Sequence, residues 1–220
     1  FYPVKECVDI LEIVKSERFE FTKSGIEIPD GENLCEKAWR LLDADFGIGN
    51  VKIHLHKQIA IGAGLGGGSA DASFTLKVLD DLFDLNLSDT ELEKYALKLG
   101  ADCPFFIENK PKLVEGMGEK MTFVDLDLSE YNIRLINPGI HVSTKEAYSE
   151  VVPKTPVLSV EKTIELPIIE WKGKLKNDFE GSVFVKHPQL EKMQEELYDD
   201  GAFYASMTGS GSVFFGFFEK

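Results

Sequence analysis

Gly62-Ala63-Gly64-Leu65-Gly66-Gly67-Gly68-Ser69-Ala70-Asp71-Ala72 is the stretch on which the reading of this chain turns. Five of its first seven residues are glycine. Glycine removes the side chains that keep a ligand away from backbone N–H groups, and it permits positive φ in a tight loop. That freedom costs entropy and is tolerated where close backbone approach matters. Ser69 to Leu82 follows with a helical pattern, so a helix N-terminus faces the loop, which is the arrangement of an anion site. Hydrogen bonds to a charged ligand contribute about 1.5–3 kcal/mol each, and a helix terminus about 0.3–2 kcal/mol. Several together suffice for a triphosphate.

Other glycine loops compete for the stretch. Gly62, Gly64 and Gly67 match G-x-G-x-x-G, but a dinucleotide fold wants a second strand ending in an acidic residue about twenty positions on. Val78-Leu79-Asp80-Asp81-Leu82-Phe83-Asp84 is still helix-like there. A Walker A loop ends in G-K-[ST], whereas this one ends Gly68-Ser69-Ala70. A flexible linker would be polar and unflanked by periodic apolar segments. A different phosphate loop remains.

Together with its flanks, the stretch resembles the signature of the GHMP kinases, the superfamily of galactokinase, homoserine kinase, mevalonate kinase and phosphomevalonate kinase. Lys57-Gln58-Ile59-Ala60-Ile61 leads in, with Ala60 where the family usually has proline. Leu99-Gly100-Ala101-Asp102-Cys103-Pro104-Phe105-Phe106 and Ser206-Met207-Thr208-Gly209-Ser210-Gly211-Ser212 follow in the family's order. The resemblance covers most of the chain. It is strongest to the branch acting on 4-diphosphocytidyl-2-C-methyl-D-erythritol in non-mevalonate isoprenoid biosynthesis.

The resemblance implies an α+β protein in two lobes, an ATP-binding lobe over residues 1–126 and a ferredoxin-like lobe over 127–220, with the site in a cleft between them. It implies transfer of the ATP γ-phosphoryl group to a hydroxyl, with Mg²⁺ bridging the phosphates. Asp102 takes the catalytic position. Gly62, Ala63, Gly64, Leu65, Gly66, Gly67, Gly68 and Ser69 cradle the phosphates, flanked by Ala60, Ile61 and Ala70. Lys57 approaches the nucleotide, Asn33 lies near the adenine, and Gly209 belongs to a third motif beside the phosphates. Ser143, Thr144 and Tyr148 fall on the substrate side, Tyr148 where an aromatic ring stacks on cytosine. The family's lysine-asparagine strand and its aspartate-glycine-tyrosine-histidine loop are not in the sequence, and they are expected upstream of Phe1. A mevalonate- or homoserine-type kinase and a non-catalytic nucleotide-binding protein are the alternatives.

Composition sets outer limits. The chain has 220 residues, 43% of them hydrophobic, enough for one large or two small domains. A formal charge of -14, with no Lys/Arg run, argues against a nucleic-acid surface. ATP is an anion too, but screening over about 8 Å leaves local N–H groups to decide. Cys7, Cys35 and Cys103 suit neither a disulfide framework nor a zinc site, so a reducing cytoplasm is expected. There is no signal peptide or membrane-length apolar run. A monomer or weak homodimer is expected.

Along the chain, Val8–Val14 and Arg18–Thr22 alternate as strands, with Lys23-Ser24-Gly25 as a turn. Asn33 caps a helix with Leu34, Ala38, Leu41 and Leu42 on one face. Val51–Ile61 is a strand with Val51, Ile53 and Leu55 on one side. His54 and His56, on the other, read as a solvated face rather than a metal site. Phe74, Val78, Leu79 and Leu82 make the buried side of the helix after the loop. Ser88-Asp89-Thr90-Glu91 is a capping box for a helix with Leu92, Tyr95, Ala96 and Leu99 inward and Gly100 as its stop. By sequence alone Asp102 is a turn cap or a carboxylate held uncomfortably between apolar neighbours, and Tyr148 is equally a packing residue. Gly116-Met117-Gly118-Glu119 resembles the turn that closes the family's first domain. Tyr131–Asn137 is a strand, Lys145–Val151 a short helix, 153–175 is uninformative, and Pro188–Tyr198 is an amphipathic helix stopped near Gly201. The segment 208–211 also fits a tight hairpin.

Overall fold

A computed structural model of the chain describes residues 1–116, 118–151 and 154–220. It forms two compact units, Phe1–Ile61 with Gly66–Val124, and Gly62–Leu65 with Asp125–Lys220.

In the first unit β3 (Val51–Lys57) is the central strand, with β1 (Ile10–Lys15) antiparallel on one side and β2 (Glu20–Gly25) parallel on the other. Alternation works as expected. Val51, Ile53 and Leu55 are buried and pack with Leu11, Ile13 and Phe21 against α1 (Leu34–Phe46) and α2 (Gly67–Phe83). On the opposite face His54 Nδ1 meets Thr22 Oγ1 at 2.8 Å, and Ser24 Oγ bridges His54 Nε2 and His56 Nδ1 at 2.9 Å each. Among the described residues no group of three or more His, Cys, Asp or Glu is placed to hold a metal.

Three local expectations are corrected. Lys23-Ser24-Gly25 is the end of β2 rather than a turn, because it pairs in register with Leu55, His56 and Lys57. β3 stops at Lys57 rather than Ile61, because the Asp9 carboxylate takes the next two N–H groups, Gln58 at 2.6 Å and Ile59 at 2.9 Å. Phe74 is exposed, and Leu76 takes its place on the buried side of α2 with Ala72 and Leu79.

The capped helices form as the sequence implies. Asn33 Oδ1 accepts from Cys35 N, and the Glu36 carboxylate accepts from Asn33 N, both at 2.9 Å. Ser88 and Glu91 make the same reciprocal pair at the start of α3 (Asp89–Leu99). Beyond α3 come α4 (Phe105–Glu108) and the hairpin of β4 (Lys112–Glu115) and β5 (Lys120–Phe123). Of the expected turn at 116–119, Met117 lies outside the described residues.

The second unit is a three-stranded antiparallel sheet in the order β6 (Asn132–Ile136), β8 (Phe214–Phe218), β7 (Tyr204–Met207). Its helices are α5 (Thr144–Tyr148), α6 (Val160–Ile164), α7 (Asp178–Lys186) and α8 (Pro188–Asp199). Val142, Ala147, Val183, Leu190, Leu197, Met207 and Phe214 form its core. α8 sits where periodicity placed it, while α5 ends at Tyr148, three residues short of expectation. Residues 208–213 join β7 to its antiparallel neighbour β8, and the Thr208 N–H donates to the Val213 carbonyl at 2.8 Å, so the segment is a hairpin connection as the alternative reading had it.

Candidate phosphate-binding site

α2 begins at Gly67, directly after Gly66, whose φ is 68°. No side chain caps this end. Among the described residues the backbone N–H groups of Gly66, Gly67, Gly68 and Ser69 donate no hydrogen bond. These are the orphan donors of a helix start, and with the dipole they favour an anion. Glycine is required at 67 by space: an added Cβ would lie 2.9 Å from Ile59 Cγ2 and 3.1 Å from Lys57 Nζ.

Lys57 is therefore beneath the loop. Its ammonium is held by Asp9 Oδ2 at 2.5 Å and Asp71 Oδ2 at 2.6 Å, with side-chain exposures of only 3%, 4% and 7% for Lys57, Asp9 and Asp71. Two buried carboxylates thus engage the ammonium of Lys57, the residue expected to approach the nucleotide. Burial alone would lower the lysine's pKa, but the two carboxylates raise it. Burial likewise works to raise Asp9, yet the Ile59 N–H, the Lys57 ammonium and the Gln58 N–H outweigh it and hold Asp9 below the usual range. Asp71 has fewer donors, and desolvation pushes it up to about 6 against the pull of Lys57. Ala60 is half-buried and Ile61 exposed at the loop's approach.

Asp102 lies in the turn between α3 and α4. It is exposed by surface area, and among the described residues no group hydrogen-bonds its carboxylate. Surrounding protein nevertheless desolvates it enough to raise its pKa, which makes it a better base than an ordinary aspartate. Sequence reasoning missed Ser73, which ties this turn to α2. The Ser73 hydroxyl is shared between the Cys103 carbonyl at 2.7 Å and the Ser69 carbonyl at 2.9 Å. One turn on, Lys77 Nζ donates to the Ile107 carbonyl at 2.7 Å. A small hydroxyl four residues after Ser69, on the inward face, was the available signal. The Phe106 ring also backs Gly66, 3.0 Å from where a Cβ would stand.

The first half of the loop, Gly62–Leu65, groups with the second unit. Gly64, φ 76°, lies so close to the Thr208 carbonyl that a Cβ would overlap it. Thr208 Oγ1 donates to the Gly64 carbonyl at 2.9 Å, and the Val213 N–H donates to the Ala63 carbonyl at 3.3 Å. Gly209 is also close, its notional Cβ 3.1 Å from the Gly64 oxygen. The Ser212 hydroxyl donates to the Ile140 carbonyl, which ties in the segment leading to α5. Ser143 is the α5 N-cap, accepting from Glu146 N at 3.1 Å, and Thr144 is exposed. Tyr148 is 63% exposed, with its ring inclined at 65° to that of Phe179 and 4.7 Å between centroids. Packing thus occupies only part of the Tyr148 ring.

The profile described as GHMP kinases N terminal domain matches residues 33–110, and that described as GHMP kinases C terminal matches residues 167–220. A relative from Parabacteroides distasonis is 49% identical over 222 residues, covering all of this chain and 82% of its own. This chain belongs to the GHMP kinases. That relative, and one from Azobacteroides pseudotrichonymphae that is 48% identical over all of this chain and 83% of its own, are each named 4-diphosphocytidyl-2-C-methyl-D-erythritol kinase. A crystal structure of 4-(cytidine 5'-diphospho)-2C-methyl-D-erythritol kinase superposes with a TM-score of 0.76 at 32% identity, covering 94% of this GHMP kinase and 76% of the other chain. A homoserine kinase from Cytophaga hutchinsonii shares the fold, with a TM-score of 0.66 at 18% identity over 96% of this chain and 76% of its own. The chain is accordingly an ATP-dependent small-molecule kinase.

Proposed function

We infer that the chain transfers the γ-phosphoryl group of ATP to a hydroxyl of 4-diphosphocytidyl-2-C-methyl-D-erythritol, a step in making isoprenoid precursors by the non-mevalonate route. The observation that carries the reading is the row of unengaged N–H groups at Gly66–Ser69 opening α2, in a chain nearly half identical to relatives named for that reaction.

Phosphoryl transfer asks the protein mainly for positioning and charge stabilisation. The N–H groups of residues 62–69 hold the nucleotide's phosphates, with Ala60, Ile61 and Ala70 shaping the approach and exit of the loop and Gly209 bracing it. Asp102, unengaged and more basic than a typical aspartate, accepts or orients the proton of the attacking hydroxyl. Asn33 keeps its cap and offers its amide to the adenine. Ser143, Thr144 and the open face of Tyr148 serve the acceptor, and stacking a base there contributes about 1–3 kcal/mol.

Magnesium held by phosphates needs only one or two carboxylates plus water. The described residues hold no ready-made ligand cluster, which fits an ion arriving with the nucleotide. The ion would neutralise charge on the phosphates. Residues 1–126 are proposed as the ATP-binding domain and 127–220 as its partner domain, in a protein working in the cytoplasm. No helix among the described residues is long and apolar enough to cross a membrane.

The test is an acceptor panel with labelled ATP and the full-length protein. Transfer to 4-diphosphocytidyl-2-C-methyl-D-erythritol well above mevalonate and homoserine is expected. Preference for another acceptor, or none, overturns the assignment.

A further inference from the structure

Asn177 stands at the N-cap of α7 and spends its whole carboxamide. Its Oδ1 accepts the Phe179 N–H at 2.9 Å, while its Nδ2 donates to the carbonyls of Met207 at 2.7 Å and Gly209 at 2.8 Å. On the same helix Glu180 Oε1 accepts from the Met207 N–H at 2.8 Å, the Ser206 hydroxyl at 2.9 Å and the Gln194 amide at 3.0 Å. Met207 is thus gripped at both its N–H and its carbonyl. The connection beginning there carries the two bonds to the first half of the glycine loop, Thr208 Oγ1 to the Gly64 carbonyl and Val213 N–H to the Ala63 carbonyl. Every one of these residues belongs to the second unit.

Capping alone does not need this residue. An N-cap requires one acceptor, which Ser, Thr or Asp supplies as well. The two donations from Nδ2 are additional, one to the last residue of β7 and one into the connection that braces the loop. Two backbone bonds close the connection, Thr208 N–H to the Val213 carbonyl at 2.8 Å and Gly211 N–H to the Thr208 carbonyl at 3.0 Å, but neither engages the Gly209 carbonyl, and Gly209, with φ of 54°, has the wide backbone freedom of glycine.

We propose that Asn177 is a positioning residue for phosphoryl transfer: by fixing the Met207 and Gly209 carbonyls it sets the 208–213 connection, which fixes the curvature of Gly62–Leu65. The proposal rests on the reading of that segment as part of the phosphate cradle. Small misplacements matter there, since a shift of about 1 Å costs on the order of 100-fold in rate.

Asn177→Ser keeps a capping oxygen and removes both donors, and Thr208→Val cuts the next link while keeping shape. Each is measured in the full-length protein for ATP KM, kcat, melting temperature and dissociation constant for the β,γ-imido analogue of ATP. Each single variant is expected to weaken nucleotide binding about tenfold. Because they act in series, the double variant should resemble either single one. Asn177→Asp, which keeps the cap but turns a carboxylate oxygen toward two carbonyls, should be worse than Asn177→Ser, and it decides the matter if the serine variant does not fold. Nucleotide binding within about twofold of wild type for Asn177→Ser or Asn177→Asp, or a double variant equal to the product of the singles, overturns the proposal. If the wild type binds the analogue but leaves the acceptor unphosphorylated, the acceptor assignment falls, and the variant ratios in analogue binding still decide the role of Asn177.

Discussion

Asp9, Lys57 and Asp71 bring two carboxylates to one ammonium beneath the first turn of α2. Removing one partner from a buried charge pair costs about 3–5 kcal/mol, but the two carboxylates are not equivalent. Asp9 also ends β3 through two N–H groups, whereas Asp71 is forced upward to about 6. For Asp71 the folded pKa exceeds the unfolded one. Its contribution to stability is complete below about pH 4 and is lost as pH rises through about 6. Asp71→Asn keeps an acceptor for Lys57 and deletes this loss. Melting curves between about pH 4 and 7 should show the wild type giving up stability that Asp71→Asn retains, while Asp9→Asn is destabilised throughout. At Asp102, replacement by Asn is expected to abolish transfer while ATP-analogue affinity stays within about threefold, because the residue handles the acceptor's proton and not the phosphates. Near-normal turnover would remove it from the mechanism. The sequence made Asp102 legible through its motif. It also held the clue to Lys57: the parity that buries Val51, Ile53 and Leu55 carries Lys57 to the same face. What no local rule supplies is Asp9, 48 positions away.

α1 and α3 were legible as elements because their caps are local. Asn33–Glu36 and Ser88–Glu91 sit within four residues and form as the pattern demands. Asn33→Ala should lower stability by about 1 kcal/mol and Asn33→Asp by much less, since aspartate caps as well. If the Asn33 amide also meets the adenine, both variants raise the ATP KM. Denaturant unfolding and steady-state kinetics on the two variants separate the roles. Elements set by distant partners were not legible. β2 is extended to Gly25 by its pairing with β3. α7 has an uninformative apolar pattern and is held by Asn177, Glu180 and a Ser182 bond to the Ala147 carbonyl at 3.0 Å. α2 was placed correctly but turned slightly, because an interior that accepts Asp71, Ser73 and Thr75 defeats a count of apolar residues.

Over the whole molecule, an anionic protein is proposed to bind an anionic nucleotide. The charge of -14 acts through solvent that screens it within about 8 Å, while backbone dipoles at a helix start act at contact distance. The family and the α+β class could be read from three motifs in order. The grouping of Gly62–Leu65 with residues 125–220 could not, since it depends on bonds to Thr208 and Val213 about 150 positions away. The most direct test follows backbone amide resonances of the isotope-labelled full-length protein as magnesium and the β,γ-imido ATP analogue are added. The largest shifts should fall on Gly66, Gly67, Gly68 and Ser69. If those four amides stay still while the analogue binds and moves resonances elsewhere, the phosphates are not held at the start of α2.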